Sequence, residues 1–127
     1  MQAVGYGAYR RVQAETSSPG ELIILLYDAL LNDLTQAHDC LTSQHYEIAH
    51  RALIRAQEII LELISSLDLS AGEIARQLQP LYQYEYQRLL DANVQKDAGA
   101  VAEVISLIRP LREAWVQAVQ TVQAGRA

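Results

Sequence analysis

The sequence predicts an all-α fold, an antiparallel up-down four-helix bundle that follows a short N-terminal leader segment. Half of the 127 residues are hydrophobic, which is enough for one compact domain with its own core. Clusters of turn-forming residues are few, and the long segments between them show helical periodicity. No segment has the alternating pattern of a β-strand. Because the connections are short, consecutive helices are expected to run antiparallel.

The first two helices are predicted from their boundaries and their apolar stripes. The first begins near Pro19 with Ser18 as its N-cap, because a serine hydroxyl accepts a hydrogen bond from a first-turn N–H and proline has no N–H to satisfy. The second runs from about Tyr46 to Leu67. The stripe of the first is Ile23, Leu26, Leu30, Leu34, Ala37 and Leu41, and that of the second is Ala49, Ala52, Leu53, Ala56, Ile60, Leu63 and Leu67.

The last two helices each contain a proline. The third is predicted from about Glu73 to Asn93, with a kink at Pro80 or a division there into a short and a longer helix. The fourth begins near Asp97 as N-cap and continues to about Val122, with a kink at Pro110. Their stripes are Ile74, Leu78, Tyr82, Tyr86 and Leu89, then Val101, Val104, Ile108, Leu111, Trp115 and Val119. The predicted division is a leader over 1–17, a bundle over 18–122 and a tail over 123–127.

Charge and cysteine usage exclude several classes of protein. The net charge is −5 and the basic residues are scattered, which argues against nucleic-acid binding and against a polybasic membrane contact. Cys40 is the single cysteine, as suits a reducing compartment. Residues 1–12 have no apolar signal-peptide region, and the longest apolar run, Leu22 to Tyr27, is too short to span a membrane. A soluble cytoplasmic protein without membrane insertion is expected.

The sequence contains no catalytic or metal-binding constellation. A di-iron bundle needs two Glu-x-x-His motifs, and only Glu47 with His50 forms one, so His50 is interpreted as a polar surface residue. His38 and Cys40 are two residues apart and point to different faces of a helix. Nucleotide-binding and nucleophile motifs are absent. The prediction is a protein that is not an enzyme and uses no cofactor and no metal.

The predicted helices carry more apolar surface than their own core needs. The segment Leu22 to Tyr27 is apolar nearly all the way round its helix. Tyr82, Tyr84 and Tyr86 cannot all face one core. Further apolar side chains lie outside the main stripes, namely Ile54, Ile59, Leu61, Ile64, Ile105, Val116 and Val122. This surplus fits a groove for an amphipathic helix of a partner, a homodimer contact, or scattered surface residues of no special role.

Several blocks, in this order and spacing, resemble the flagellar secretion chaperone family (FliS). They are Ala8-Tyr9-Arg10-Arg11-Val12, Glu15-Thr16-Ser17-Ser18-Pro19, Leu25-Leu26-Tyr27-Asp28, Gly72-Glu73-Ile74-Ala75, Leu81-Tyr82-Gln83-Tyr84, Arg88-Leu89-Leu90, Ala92-Asn93, Glu103-Val104 and Leu111-Arg112-Glu113-Ala114-Trp115. Departures from the family pattern include Ala29 in place of glycine, and Pro80 and Pro110 inside helices.

The resemblance implies an export chaperone. Such a protein binds the C-terminal segment of unassembled flagellin, prevents premature polymerisation and keeps flagellin competent for flagellar type III secretion. The surplus apolar surface suits this role, because a segment that folds on binding needs a long apolar contact. The alternative is a non-catalytic helical structural protein that uses its apolar surface for self-association. The sequence leaves open a homodimer and a direct contact with the flagellar export gate.

The predicted flagellin-binding residues are Tyr6, Tyr9, Leu22, Leu25, Tyr27, Tyr82 and Tyr86. Tyr6 and Tyr9 lie in the leader, which is expected to fold over the groove, with a frayed terminus as the alternative. For the other five the alternative is ordinary core packing. Trp115 is assigned to the core end of the bundle. Asn93 is interpreted as a structural residue at a helix C-terminus that tolerates left-handed geometry, and Asp28 is predicted to pair with Arg88 between helices.

Overall fold

The computed structural model describes residues 19–70 and 72–126, and these residues form four helices and no strand. The helices are α1 (Pro19–Thr42), α2 (Tyr46–Ser65), α3 (Glu73–Gln95) and α4 (Ala98–Arg126). The all-α prediction is therefore confirmed, and the predicted starts at Pro19, Tyr46 and Glu73 coincide with the observed ones. The proposed N-cap Ser18 and the leader lie outside the described residues.

The four helices form an antiparallel ring in which each packs against two neighbours. α1 contacts α2 and α4, and α3 contacts the same two helices from the other side. Side-chain contacts fix the direction of each neighbouring pair. Those that cross between helices include Arg55 to Asp33, His50 to Asn93, Arg88 to Glu103 and Arg112 to Asp28. His50 with Asn93, Arg88 with Glu103, and Gly20 with Val119 each join an early residue of one helix to a late residue of its neighbour, as the up-down prediction requires.

Local chemistry sets the boundary between α3 and α4. Lys96 takes a left-handed conformation with φ 58°, and its N–H bonds to the Ala92 carbonyl. Asp97 then caps α4 by accepting a hydrogen bond from the Ala100 N–H at 3.2 Å. Asn93 lies in the last turn of α3, as predicted, but the left-handed position is Lys96. Asn93 stays helical, and its amide donates to the His50 ring at 2.9 Å, while Lys96 beyond it closes the helix.

Replacing Asp97 by alanine is expected to lower the free energy of unfolding by about 1 kcal/mol. The carboxylate satisfies an N–H of the first turn of α4, and alanine leaves that donor to water. Urea denaturation followed by circular dichroism measures the change. Asp97→Asn keeps an accepting oxygen and serves as the control, with most of the stability retained. Equal losses in both variants would contradict a capping role.

The core follows the predicted stripes over most of the bundle. Its buried members are Leu26, Tyr27, Leu30, Leu34, Ala37, Leu41, Ala49, Ala52, Leu53, Ala56, Ile59, Ile60, Leu63, Leu78, Tyr82, Leu89, Ala92, Ala100, Val101, Val104 and Ile108. Two assignments are wrong. Ile59, counted as surplus, is only 1% exposed, whereas Ile74, counted as core, is 70% exposed. Ile74 lies in the first turn of α3, at a level beyond the end of α2, so α2 does not cover its side chain.

Both prolines lie on exposed positions inside uninterrupted helices. α3 runs through Pro80 and α4 runs through Pro110. The predicted division of α3 into two helices is therefore wrong, and the predicted kinks stay predictions. A proline on the solvent side leaves its freed carbonyl open to water, which lowers the penalty of the lost bond. α4 also continues beyond the predicted end at Val122 as far as Arg126.

The ion pair predicted between Asp28 and Arg88 does not form. Asp28 accepts from Arg112 of α4 at 2.5 Å, and Arg88 donates to Glu103 of α4 at 2.8 Å. The reason is the ring arrangement, because α1 and α3 are diagonal to each other and α4 lies beside both. Each pair is partly exposed and adds little stability.

Candidate functional site

One end of the bundle is built from fewer helices than the rest. The Arg55–Asp33 contact sets the register of α1 and α2, and it places the last residue of α2, Ser65, level with Ile23. The Arg88–Glu103 contact likewise places the start of α3 level with Ala118. α4 continues past both of these points to Arg126. Its last turns therefore extend beyond two of the three other helices.

This arrangement divides the apolar stripe of α4 into a buried part and an open part. Val101, Val104 and Ile108 are 0% exposed. Leu111, Trp115 and Val119 follow on the same face, yet they are only half-buried. Gly20 permits a close approach of α1 here, because a Cβ at that position would come within 2.8 Å of Val119 Cγ2. The open part of the stripe is an apolar surface that the bundle itself does not cover.

A cleft of about 310 Å³ lies between α3 and the open part of α4. We call it the Trp115 cleft, and its lining residues are Ile74, Leu78, Leu111, Ala114, Trp115 and Ala118. None of these side chains is charged, and the floor is formed by large apolar groups. A site of this kind accepts the apolar face of a helix rather than a polar ligand.

A second depression, of about 370 Å³, lies on the other side of α4. We call it the α1–α4 groove, and it is lined by Glu21, Ile24, Leu25, Val116, Val119, Gln120 and Gln123. Its centre is apolar and its edge is polar, as is usual for protein-binding surfaces. A further depression contains both Trp115 and Val119 and so joins the groove to the Trp115 cleft. The two form one surface around the end of α4.

A buried pair of tyrosines supports the Trp115 cleft from below. The hydroxyls of Tyr27 on α1 and Tyr82 on α3 are hydrogen-bonded to each other across the bundle. Burial raises the pKa of the Tyr27 hydroxyl, an effect opposed by hydrogen bonds to Tyr82 and Trp115. Burial also raises the pKa of Tyr82. Both phenols are thus neutral at physiological pH, and the Trp115 side chain lies close to the Tyr27 hydroxyl.

The structure separates the predicted site residues into several groups. Leu22 and Leu25 are half-buried near the start of α1, and Leu25 lines the α1–α4 groove. Tyr27 and Tyr82 are 0% and 2% exposed, so they lie in the core and not on the surface where a partner contact was predicted. Their hydroxyls satisfy each other, which makes this burial favourable. Tyr86 is half-buried against the core. Tyr6 and Tyr9 lie outside the described residues.

Two features of this region were not recognised from the sequence. The first is the open half of the α4 stripe, where Trp115 was assigned to the core. The available signal was the length of α4, whose pattern extends further than those of its neighbours. The second is Glu85, which is 0% exposed. It lies three residues after Tyr82 and four before Leu89, and this spacing places it on the core face of α3.

Other classes of site find no support in the part of the chain that the structure describes. Its histidine, cysteine and carboxylate side chains form no group of three or more that could hold a metal ion. Glu47, half of the Glu-x-x-His motif, pairs with Arg51. His50 is exposed and bonds to Asn93. None of its helices is long and apolar enough to cross a membrane.

The fold and its open apolar end define a helical bundle of the kind that binds protein segments. The chain belongs to the family of flagellar protein FliS, whose model it matches over residues 1–122. It is 35% identical over 121 residues to the flagellar secretion chaperone FliS of Bacillus subtilis, a match that covers 95% of this chain and 90% of the relative. Its identity to the protein of the same name from Salmonella typhimurium is 38%, covering 91% and 90%. The Campylobacter jejuni relative is 34% identical, with 88% of each chain covered.

Proposed function

We propose that this protein is a cytoplasmic, non-catalytic export chaperone that binds the C-terminal segment of unassembled flagellin. Binding would prevent premature polymerisation and keep flagellin competent for flagellar type III secretion. Family membership supports the general role, since the relatives are named flagellar secretion chaperones. The choice of flagellin as the client is our proposal.

The observation that carries the proposal is the uncovered apolar surface around the end of α4. Leu111, Trp115 and Val119 continue a core stripe, but the described helices leave each of them only half-buried. A disordered client segment that folds into an amphipathic helix would place apolar side chains at steps of three and four onto this surface. The ordering entropy of the client reduces the net affinity, which suits a chaperone that must release its client.

The proposal assigns different roles to the residues predicted from the sequence. Leu25 contacts the client at the α1–α4 groove, and a client contact at Leu22 stays a prediction. Tyr27 and Tyr82 act from the core by holding Trp115 and α3 in place. Tyr86, and the leader with Tyr6 and Tyr9 as a cover of the groove, stay predictions, as do contact with the export gate and a homodimer.

Titration calorimetry with a peptide from the flagellin C-terminus tests the proposal. One peptide is expected to bind per chain, with a negative heat-capacity change because apolar surface is removed from water. Affinity should change little with added salt, since the Trp115 cleft contains no charged side chain. A scrambled peptide of the same composition is the control, because it keeps the charge and loses the apolar spacing. A stable dimer that ignores the peptide would contradict the proposal and favour self-association.

A further inference from the structure

Glu85 is a buried carboxyl group without a hydrogen-bonding partner. Its side chain is 0% exposed, and neither Oε1 nor Oε2 has a partner among the described residues. It lies on α3 within the core face that also contains Tyr82 and Leu89. A carboxylate in such a position would have neither water nor a donor to stabilise its charge. The closed bundle therefore holds Glu85 in its neutral form.

Among residues 19–70 and 72–126, the groups around Glu85 offer no compensating cation. From α1 the Tyr27 phenol and from α3 the Tyr82 phenol interact electrostatically with Glu85. Arg88, three residues further along α3, pairs with Glu103 of α4. On α4, Trp115 reaches Tyr27, and Arg112 is paired with Asp28 instead. The single cause of the raised Glu85 pKa is burial, which brings the value from 4.5 to about 8.

α2 contributes a second polar group that is buried without a partner. The His50–Asn93 contact fixes the register of α2 and α3, and it places Gln57 within one residue of the level of Glu85. Gln57 is 5% exposed, and its Nε2 has no hydrogen-bonding partner within the described ranges. Burial is the main cause of the raised pKa of Asp33, and the charge of Glu58, the neighbour of Gln57, adds to it. Glu58 makes no such contribution to the pKa of Glu85. The interface of α2 and α3 thus contains two unsatisfied polar groups at one level, and this level is a weak point in the packing.

We propose that Glu85 is a proton-dependent latch for α3. The neutral carboxyl lets α3 pack against the bundle, and ionisation favours a state in which α3 has moved away and the carboxylate is hydrated. α3 is suited to this motion because, of the four helices, it makes the least extensive contacts with its neighbours. Its buried apolar residues are Leu78, Tyr82, Leu89 and Ala92. Since α3 also supplies Ile74 and Leu78 to the Trp115 cleft, its movement reshapes that cleft. The latch itself does not depend on flagellin being the client.

The sign of the pH dependence follows from the two states of Glu85. Below about pH 4.5 the carboxyl is protonated in both the closed and the open state, so opening does not vary with pH through this group. Between about 4.5 and 8 the open state loses a proton that the closed state retains, and opening becomes more favourable as pH rises. Above about 8 the closed state also ionises and the dependence levels off.

Hydrogen exchange of the wild-type chain between pH 6 and 8 tests the latch. Protection factors of α3 amides, corrected for the intrinsic exchange rate, should fall at least about tenfold over this range, because one proton is released on opening. Protection in α1 and α2 should change less. Glu85→Gln and Glu85→Met remove the titrating group, and both should make α3 protection independent of pH. Glu58→Gln, on the partly exposed side of α2, is the matched control and should keep the wild-type slope.

Each outcome of this experiment decides the proposal. A flat wild-type profile, a wild-type slope that persists in Glu85→Met, or an equal loss of protection in all helices would each overturn it. If Glu85→Gln does not fold, Glu85→Met remains informative because methionine fills a similar volume without a polar atom. A carbon-13 titration of the Glu85 carboxyl in the wild-type protein, showing a midpoint far above that of an exposed glutamate, provides a second measurement.

Discussion

Replacing Ala118 by glutamate is expected to weaken flagellin binding about 100-fold, which corresponds to roughly 2.7 kcal/mol. Ala118 is exposed on α4 and lines both the Trp115 cleft and the depression that joins it to the α1–α4 groove. A carboxylate at this position would be covered by the apolar face of the client without a cation to pair with, which is strongly unfavourable. Titration calorimetry with the flagellin C-terminal peptide measures the loss.

The matched control is Ala102→Glu, an exposed alanine on the same helix at the opposite end of the bundle. It introduces the same charge and the same side chain, and it should leave affinity for the peptide within about twofold. Both variants should unfold at the wild-type urea concentration, because each position is exposed in a helix. Wild-type affinity in Ala118→Glu, or equal losses in both variants, would show that the client binds elsewhere.

Local features of the sequence predicted the helices well. Pro19 starts α1 and Asp97 caps α4 because these residues act on their own helix ends. The core stripes of α1 and α2 also followed from spacing, since apolar residues three and four positions apart lie on one face of a helix, whichever helix packs against it. The sequence could not show how freely Pro80 is tolerated, because this depends on which side of α3 faces solvent.

Features that depend on register between helices could not be predicted. Asp28 pairs with Arg112 and not with Arg88, because α4 lies beside α1 while α3 lies across the bundle. The open end of α4 has the same origin, since it depends on where α2 ends and α3 begins relative to the longer α4. For the same reason Trp115 looked like a core residue. The flagellar role was indicated by the sequence blocks, whereas the surface proposed to carry it emerged only from the packing.

The core and the surface proposed for the client are connected through one hydrogen-bonded group. Tyr27 and Tyr82 join α1 to α3, and Trp115 on α4 reaches Tyr27 from the floor of the cleft. The same two phenols lie next to Glu85, whose neutral form the closed bundle requires. Tyr27 and Tyr82, which the sequence analysis predicted to contact the client directly, therefore support the apolar surface from the core. They fix the positions of the helices whose side chains form it.

Replacing Tyr27 by phenylalanine is expected to lower the free energy of unfolding by about 2 kcal/mol, and replacing Tyr82 by about 1 kcal/mol. The difference arises because Tyr27→Phe leaves the Tyr82 hydroxyl buried without its partner and also removes the group that Trp115 contacts. In Tyr82→Phe the Tyr27 hydroxyl keeps its bond to Trp115. Urea denaturation at pH 6, with both single variants and the double variant, measures these values.

The double variant distinguishes a hydrogen-bonded pair from two independent phenols. With both hydroxyls absent no buried oxygen is left unsatisfied, so the double variant should lose no more stability than Tyr27→Phe alone, a coupling of about 1 kcal/mol. Tyr84→Phe is the control, because Tyr84 is 46% exposed and its removal should change stability by less than about 0.5 kcal/mol. Strictly additive losses in the double variant would mean that Tyr27 and Tyr82 do not satisfy each other in solution, and the support of the Trp115 cleft would then have to come from packing alone.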